Sequence, residues 1–187
     1  MGTIIKIKNV SIQIPNTKSE GRSVPAVLAE TAGVPQIGEP WPEQGGIRAG
    51  YMPPEDGQPG YSIIVADGAG EAEEELPWGN TGKEIAGLSA RDGKANTEKL
   101  AGLTGHPAAD FCAGLMLHGF TDWYLPSRRE ASIMAGAVPR LFSPGWHWTS
   151  SQSSAYYAFV QRFGDGGQGN GSEDYGTRLR AVRRVIH

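Results

Sequence analysis

Residues 119–130 read Gly-Phe-Thr-Asp-Trp-Tyr-Leu-Pro-Ser-Arg-Arg-Glu, and residues 145–151 read Gly-Trp-His-Trp-Thr-Ser-Ser. Ser127 precedes Glu130 by three, the capping-box spacing in which hydroxyl and carboxylate satisfy each other's exposed amides at a helix start. This predicts a helix over 128–136 that buries Ile133 or Met134. Trp146 and Trp148 fall on one face of a strand, with His147 pointing the other way into solvent or beside a binding surface. Tyr157, Phe159 and Phe163 then alternate with Tyr156, Ala158, Val160 and Arg162, so one of these two sets lines a core. Trp123, Ser127, Glu130 and Trp148 are the expected scaffold residues. The pattern is one of ligand display rather than catalysis.

Residues 164–171 hold five glycines in eight positions, which predicts a long hairpin tip rather than a strand. Leu179–Ile186 reads as the closing strand. Upstream, 44–51 and 60–66 flank Pro53-Pro54-Glu55-Asp56-Gly57 and read as a β-hairpin. Pro107 at a first helical position, with Phe111, Cys112 and Leu115 at helical spacing and Gly119 beyond the end, predicts a helix over 107–118. The acidic stretch 68–82 reads as a solvated loop anchored by Trp78. Thr3–Ile14 has an approximate period of two and suits a strand or ribbon, and 24–32 suits a short helical segment. Residues 1–40 are read as an N-terminal arm, either a strand added to the main sheet or a segment for attachment or oligomerisation. Residues 41–187 form the domain.

The chain has 187 residues, 39% of them hydrophobic and 20% charged, with 27 glycines and 13 prolines. That composition predicts a folded body rich in turns. Seventeen basic against 20 acidic residues leave a net charge of −3, which gives no field to gather nucleic acid or anionic lipid. No apolar run reaches the roughly 18–20 residues of a membrane span, nor does the N-terminus read as a secretion signal. Synthesis in the cytoplasm is expected. The single cysteine, Cys112, excludes an intrachain disulfide and a two-cysteine active site.

The order of these signals resembles a bacterial and phage domain family of the C-type-lectin-like fold, one that includes the C-terminal domain of the collagen-like adhesin. The resemblance covers about residues 45–184. It is carried by Gly45-Gly46, Asp92-Gly93 with Asn96-Thr97, Ala108-Ala109, Asp122 through Ser127 with Glu130, Trp148 with Ser150-Ser151, and Arg180 through Arg184. It implies an α+β fold with two helices and a mainly antiparallel sheet. It also implies a phage tail, tail-tip or fibre protein of the virion whose last-third loops vary. Ala131 departs from the leucine that often follows the glutamate. The chain lacks the Glu-Pro-Asn, Gln-Pro-Asp and Trp-Asn-Asp triplets of calcium-dependent sugar binding, and a lone cysteine does not supply the chemistry of the more distantly similar formylglycine-generating enzymes.

His106, His118, His147 and His187 show no metal-ligand spacing. Ser127 lacks a nucleophile elbow. Asp122 is expected to lock its turn through backbone amides, and Arg178, Arg180, Arg183 and Arg184 to pair with Glu130, Glu173 or Asp174. No catalytic residue, metal or cofactor is expected. The residues left for a ligand are Gln152, Tyr156, Asp165, Gln168, Asn170, Ser172 and Tyr175, adaptable polar groups with aromatic anchors. The expected function is binding of a host surface protein or glycan by a homo-oligomer held to other virion proteins by the arm. The alternative is a decoration protein that stabilises a capsid or tail.

Overall fold

The computed structural model describes residues 4–7, 10–13 and 33–187. The chain divides into two compact units, Met1–Val34 and Pro35–His187. In the first, β1 (Ile4–Ile7) pairs antiparallel with β2 (Val10–Gln13) through Ile5↔Ile12 and Ile7↔Val10. The helical segment expected over 24–32 lies outside the described residues.

The second unit is α+β, with three α-helices and antiparallel sheets among the described residues. The expected hairpin is present as β4 (Gly46–Met52) and β5 (Tyr61–Val65). They lie within a four-stranded sheet of order β11-β5-β4-β3, with β3 at Pro40–Trp41 and β11 at Val182–Ile186, while the short strands β6 (Leu76–Pro77) and β10 (Gly176–Thr177) pair with each other. Residues 38–40, counted above with the arm, hydrogen-bond along β4 in this unit. The closing strand starts three residues later than expected. Leu179–Ala181 runs instead as a buried irregular segment, bridged to Glu71 through Arg180 and to Gly70 through Ala181.

Helix α1 (Gly93–Ala101) has no counterpart in the sequence reading. Of its buried positions Gly93, Asn96, Thr97 and Leu100, only Leu100 is a large apolar residue, so no apolar stripe announces it. Polar contacts fix it instead: Asp92 Oδ1 caps Ala95 N at 3.0 Å, and Asn96 Nδ2 donates to Ser150 Oγ at 3.1 Å. Helix α2 (Pro107–Gly114) stops four residues short of the expected end. His118 and Gly119 both take positive φ, in a tight turn that bridges Leu117 to Phe120, so Gly119 serves that turn and not the helix end. Helix α3 (Arg128–Ala137) carries the complete capping box. It buries Met134 fully, while Ile133 packs on β4, where a Cβ on Gly50 would lie 2.6 Å from Ile133 Cγ2.

Glu130 ties these starts together. It is fully buried, and it accepts from Ser127 N at 2.7 Å, Gly93 N at 3.2 Å, Tyr61 Oη at 2.9 Å and Tyr124 Oη at 2.7 Å. One carboxylate thus caps α3 and holds the first turn of α1, where anions are favoured. A Cβ at Gly93 would fall 2.5 Å from Glu130 Oε2 and 2.6 Å from Ser127 N, so the approach requires glycine.

The core has two clusters. Met52, Ile63, Val65, Tyr124, Met134 and Phe163 fill the space between the four-stranded sheet and α3. Trp78, Leu100, Cys112, Trp123, Leu125 and Trp148 fill the other. Trp78 is fully buried and donates to Thr149 O at 2.8 Å, which anchors the acidic loop as expected. The terminal arginines do not meet the carboxylates expected. Arg183 forms a two-point pair with Asp122 at 2.8 and 3.1 Å, Arg184 meets Asp92 at 3.0 Å, Arg178 lies 3.9 Å from Glu75, and Arg180 donates to Ala66 O. Asp122 therefore locks its turn through a guanidinium rather than backbone amides, because Arg183 on β11 reaches it.

Candidate functional site

The last third forms a separate three-stranded sheet of β7 (Trp146–Ser154), β8 (Tyr157–Arg162) and β9 (Gln168–Ser172), in that order. The glycine-rich interval is therefore not all hairpin tip: only 163–167 turn, and Gln168–Ser172 pair with β8 through Gln161↔Gln168, Phe159↔Asn170 and Tyr157↔Ser172. Packing explains a strand with so little intrinsic preference for one. A Cβ on Gly171 would lie 2.6 Å from Trp148 Cη2, and one on Gly169 would lie 3.4 Å from Trp146 Cη2. The two indoles lie along the bare glycine face.

On that same face Trp148, Ala158 and Val160 enter the core, and Trp148 Nε1 donates to Leu76 O at 2.8 Å. The small members of the β8 alternation are thus the buried ones, leaving Tyr157 exposed and Phe159 half-buried beneath the Arg128 guanidinium, 4.1 Å from its ring centroid. His147 is not solvated. It is buried edge-on against Phe142 and Phe163, rings that cover the second face of β7, with its Nε2 3.9 Å from Glu71 Oε1. Burial holds its pKa below the ordinary histidine value, as it does for His106 against Trp78.

The seven candidate ligand residues do not converge. At one end of the sheet Gly82 N donates to Ala155 O and Glu173 N to Tyr156 O, so the 80–82 loop, the β7–β8 turn and the Ser172–Tyr175 turn meet. Tyr156 and Tyr175 stand there 58% and 71% exposed, the most open aromatic side chains among the described residues. Ser172 is at the same end, with its hydroxyl donating to Asp174 Oδ1 at 2.5 Å. Gln152 lies beneath it and is fully engaged: Oε1 accepts from Ile85 N, and Nε2 donates to Lys83 O and to Glu173 Oε1. Its role is to pin the 83–88 loop, beside which Glu84–Leu88 and Gln152–Ser154 line a shallow cleft of about 340 Å³.

Asp165 and Gln168 sit at the opposite end, and Asn170 midway along the strand. Arg162 lowers the pKa of Asp165 from its ordinary value, with Gly167 N also donating to it. Gln168 Nε2 donates to Arg128 O and Gln161 Oε1, both at 3.0 Å. A five-residue strand spans about 14 Å between its first and last Cα atoms, so one small ligand does not touch both ends. Asn170 is exposed and makes no side-chain hydrogen bond among the described residues.

Two residues join the surface that the sequence reading passed over. Tyr157 is 47% exposed on the face opposite Trp148, and Trp146 is 37% exposed with the Arg162 guanidinium 4.8 Å from its ring. The signal for Tyr157 was the run Ala158, Val160 against Trp148, which assigns the core face to the smaller residues. Glu173, read from the sequence only as a partner for the terminal arginines, lies here as well. It is buried, its pKa is raised by that burial with the Gln152 hydrogen bond opposing, and its Oε2 has no hydrogen-bond partner among the described residues.

Groups that chemistry would need are placed structurally. Ser127 Oγ donates to Arg91 O at 2.8 Å and accepts from Glu130 N. Cys112 is completely buried in apolar surroundings that push its thiol far above the ordinary value. Among the described residues no three His, Cys, Asp or Glu side chains group as a metal site. No protein-family model matches this chain, and no curated protein matches it.

Proposed function

We propose that this chain is a non-enzymatic phage virion protein of C-type-lectin-like fold, a component of a tail, tail tip or fibre. In this reading the Tyr156–Tyr175 end of the β7–β9 sheet binds a host surface protein or glycan, and the N-terminal arm, cut back to Met1–Val34, holds the protein to other virion components. The observation that carries it is the contrast at that end: two tyrosines open to solvent on turns whose backbones are fixed by hydrogen bonds to one another and to the 80–82 loop. Tyrosine supplies a large amphipathic contact with few rotors to freeze, and a rigid support limits the ordering cost of binding. The capping box at α3, the indole of Trp148 under β9 and the closing β11 support the fold assignment.

The test is competition. Purified protein added to host cells before infection should block adsorption of the parent phage, and the Tyr156→Ala/Tyr175→Ala protein should not. Unimpaired adsorption, combined with particles that fall apart more readily when the variant is built into them, would favour the decoration reading instead.

A further inference from the structure

The open edge of β9 carries a second interaction surface. Arg162 N donates to Gly167 O and Glu173 N donates to Tyr156 O at the two ends of the β8–β9 pair. Alternation of an antiparallel ladder then turns the backbone groups of Gly169 and Gly171 toward β8, and those of Gln168, Asn170 and Ser172 outward. Among the described residues, only Ser172 O of these outward groups has a backbone partner, the N–H of Tyr175. Natural sheets shield such edges with lysine, proline or a bulge. This one reads Gln-Gly-Asn-Gly-Ser, uncharged, proline-free and in unbroken register with β8.

We propose that β9 pairs antiparallel with β9 of a second copy of this chain, on a two-fold axis through Asn170, joining two three-stranded sheets into one of six strands. The sequence is symmetric about that axis: polar residues at 168, 170 and 172 meet polar residues, and glycine meets glycine. The outward groups of one strand face the outward groups of the other, which permits up to six backbone hydrogen bonds in an antiparallel ladder. Charge agrees. The strand places no like charges opposite each other, and the register brings the partner's Asp174 opposite Gly166, beside the Arg162–Asp165 end. A heterologous contact at this edge would leave it open to grow, whereas the two-fold closes it. The axis stands perpendicular to the sheet, so both copies present Tyr157 on the same face. This assembly is independent of what the tyrosine end binds.

Sedimentation velocity on the full chain at micromolar concentration should give twice the chain mass. Asn170→Lys and Asn170→Asp should each sediment as monomers with the wild-type circular dichroism spectrum, because residue 170 is exposed and faces itself across the axis. An equimolar mixture of the two should recover the dimer. Asn170→Cys should oxidise to a disulfide-linked pair, since a hydrogen-bonded antiparallel pair has Cα atoms about 5.5 Å apart, inside the roughly 4.4–6.8 Å that a disulfide spans. A monomeric wild type, a lysine variant that remains dimeric, charge variants that do not recover the dimer on mixing, or a cysteine variant that does not cross-link under oxidation would overturn the proposal.

Discussion

The surroundings of Glu130 and the β7–β9 sheet make opposite use of polar groups. Around Glu130 a buried carboxylate at the start of α3 accepts four hydrogen bonds from groups on β5, α1 and the 122–127 segment. In the β7–β9 sheet the last strand has neither charge nor a large side chain, its outer backbone groups other than Ser172 O have no backbone partner among the described residues, and nearby tyrosines face solvent. The first region specifies the fold through satisfied buried groups, where low dielectric makes each bond matter. The second contributes little burial of its own and is held flat by Trp146 and Trp148. Substitutions should therefore cost stability in the first region and alter only surface properties in the outer part of the second.

The largest effect belongs to Glu130→Ala, which orphans the Tyr124 hydroxyl and two helix-start amides together and leaves the Tyr61 hydroxyl only its 3.4 Å bond to Arg91 O. Loss of a buried network of this kind costs roughly 3–5 kcal/mol, readable by denaturant unfolding; a loss below about 1 kcal/mol would break the comparison. Next comes Gly171→Ala, whose methyl would meet the Trp148 ring and should cost about 1–3 kcal/mol. Gly169→Ala, at ordinary contact distance from Trp146, should lie within about 0.5 kcal/mol of wild type. Equal costs at the two glycines would mean that Trp148 does not set the strand.

A smaller effect comes from pH. Burial lowers the folded-state pKa of His147 beneath the ordinary 6.5, so the unfolded chain binds protons first as pH falls. Stability is full above 6.5 and is lost as pH drops through the depressed folded value, and His147→Phe should flatten that slope. Glu173 works in the opposite sense. Its raised folded pKa gives stability that is full below the ordinary carboxylate value and is lost as pH rises through the folded one. Glu173→Gln should therefore raise the thermal midpoint at neutral pH and leave it unchanged in acid.

How much was legible follows the range of each interaction. The capping box at Ser127–Glu130 is local, and its sequence spacing announced it; the bonds from Tyr61 and Tyr124 to the same carboxylate come from the fold and left no trace in spacing. Helix α1 was hidden because Asn96 and Thr97 face inward where an apolar stripe is normally sought. Strand β9 was hidden because its conformation is imposed by indoles twenty-three residues upstream, Trp146 to Gly169 and Trp148 to Gly171, against the preference of glycine. His147 was read as solvated on the assumption that one face of β7 is open, yet Phe142 and Phe163 cover it. Within the candidate site, Tyr156 and Tyr175 were legible as aromatic anchors among the groups left for a ligand. The engagement of Gln152, Asp165 and Gln168 was not, since it depends on the neighbouring loop, Arg162 and Arg128.

The division between a fixed scaffold and a displaying end is tested most directly on one protein, Tyr156→Ala/Tyr175→Ala, by measuring its thermal midpoint and its binding to host cells side by side. The account predicts an unchanged midpoint with cell binding weakened at least about tenfold, the loss of roughly 1.4 kcal/mol of contact. Cell binding equal to wild type at an unchanged midpoint would contradict it.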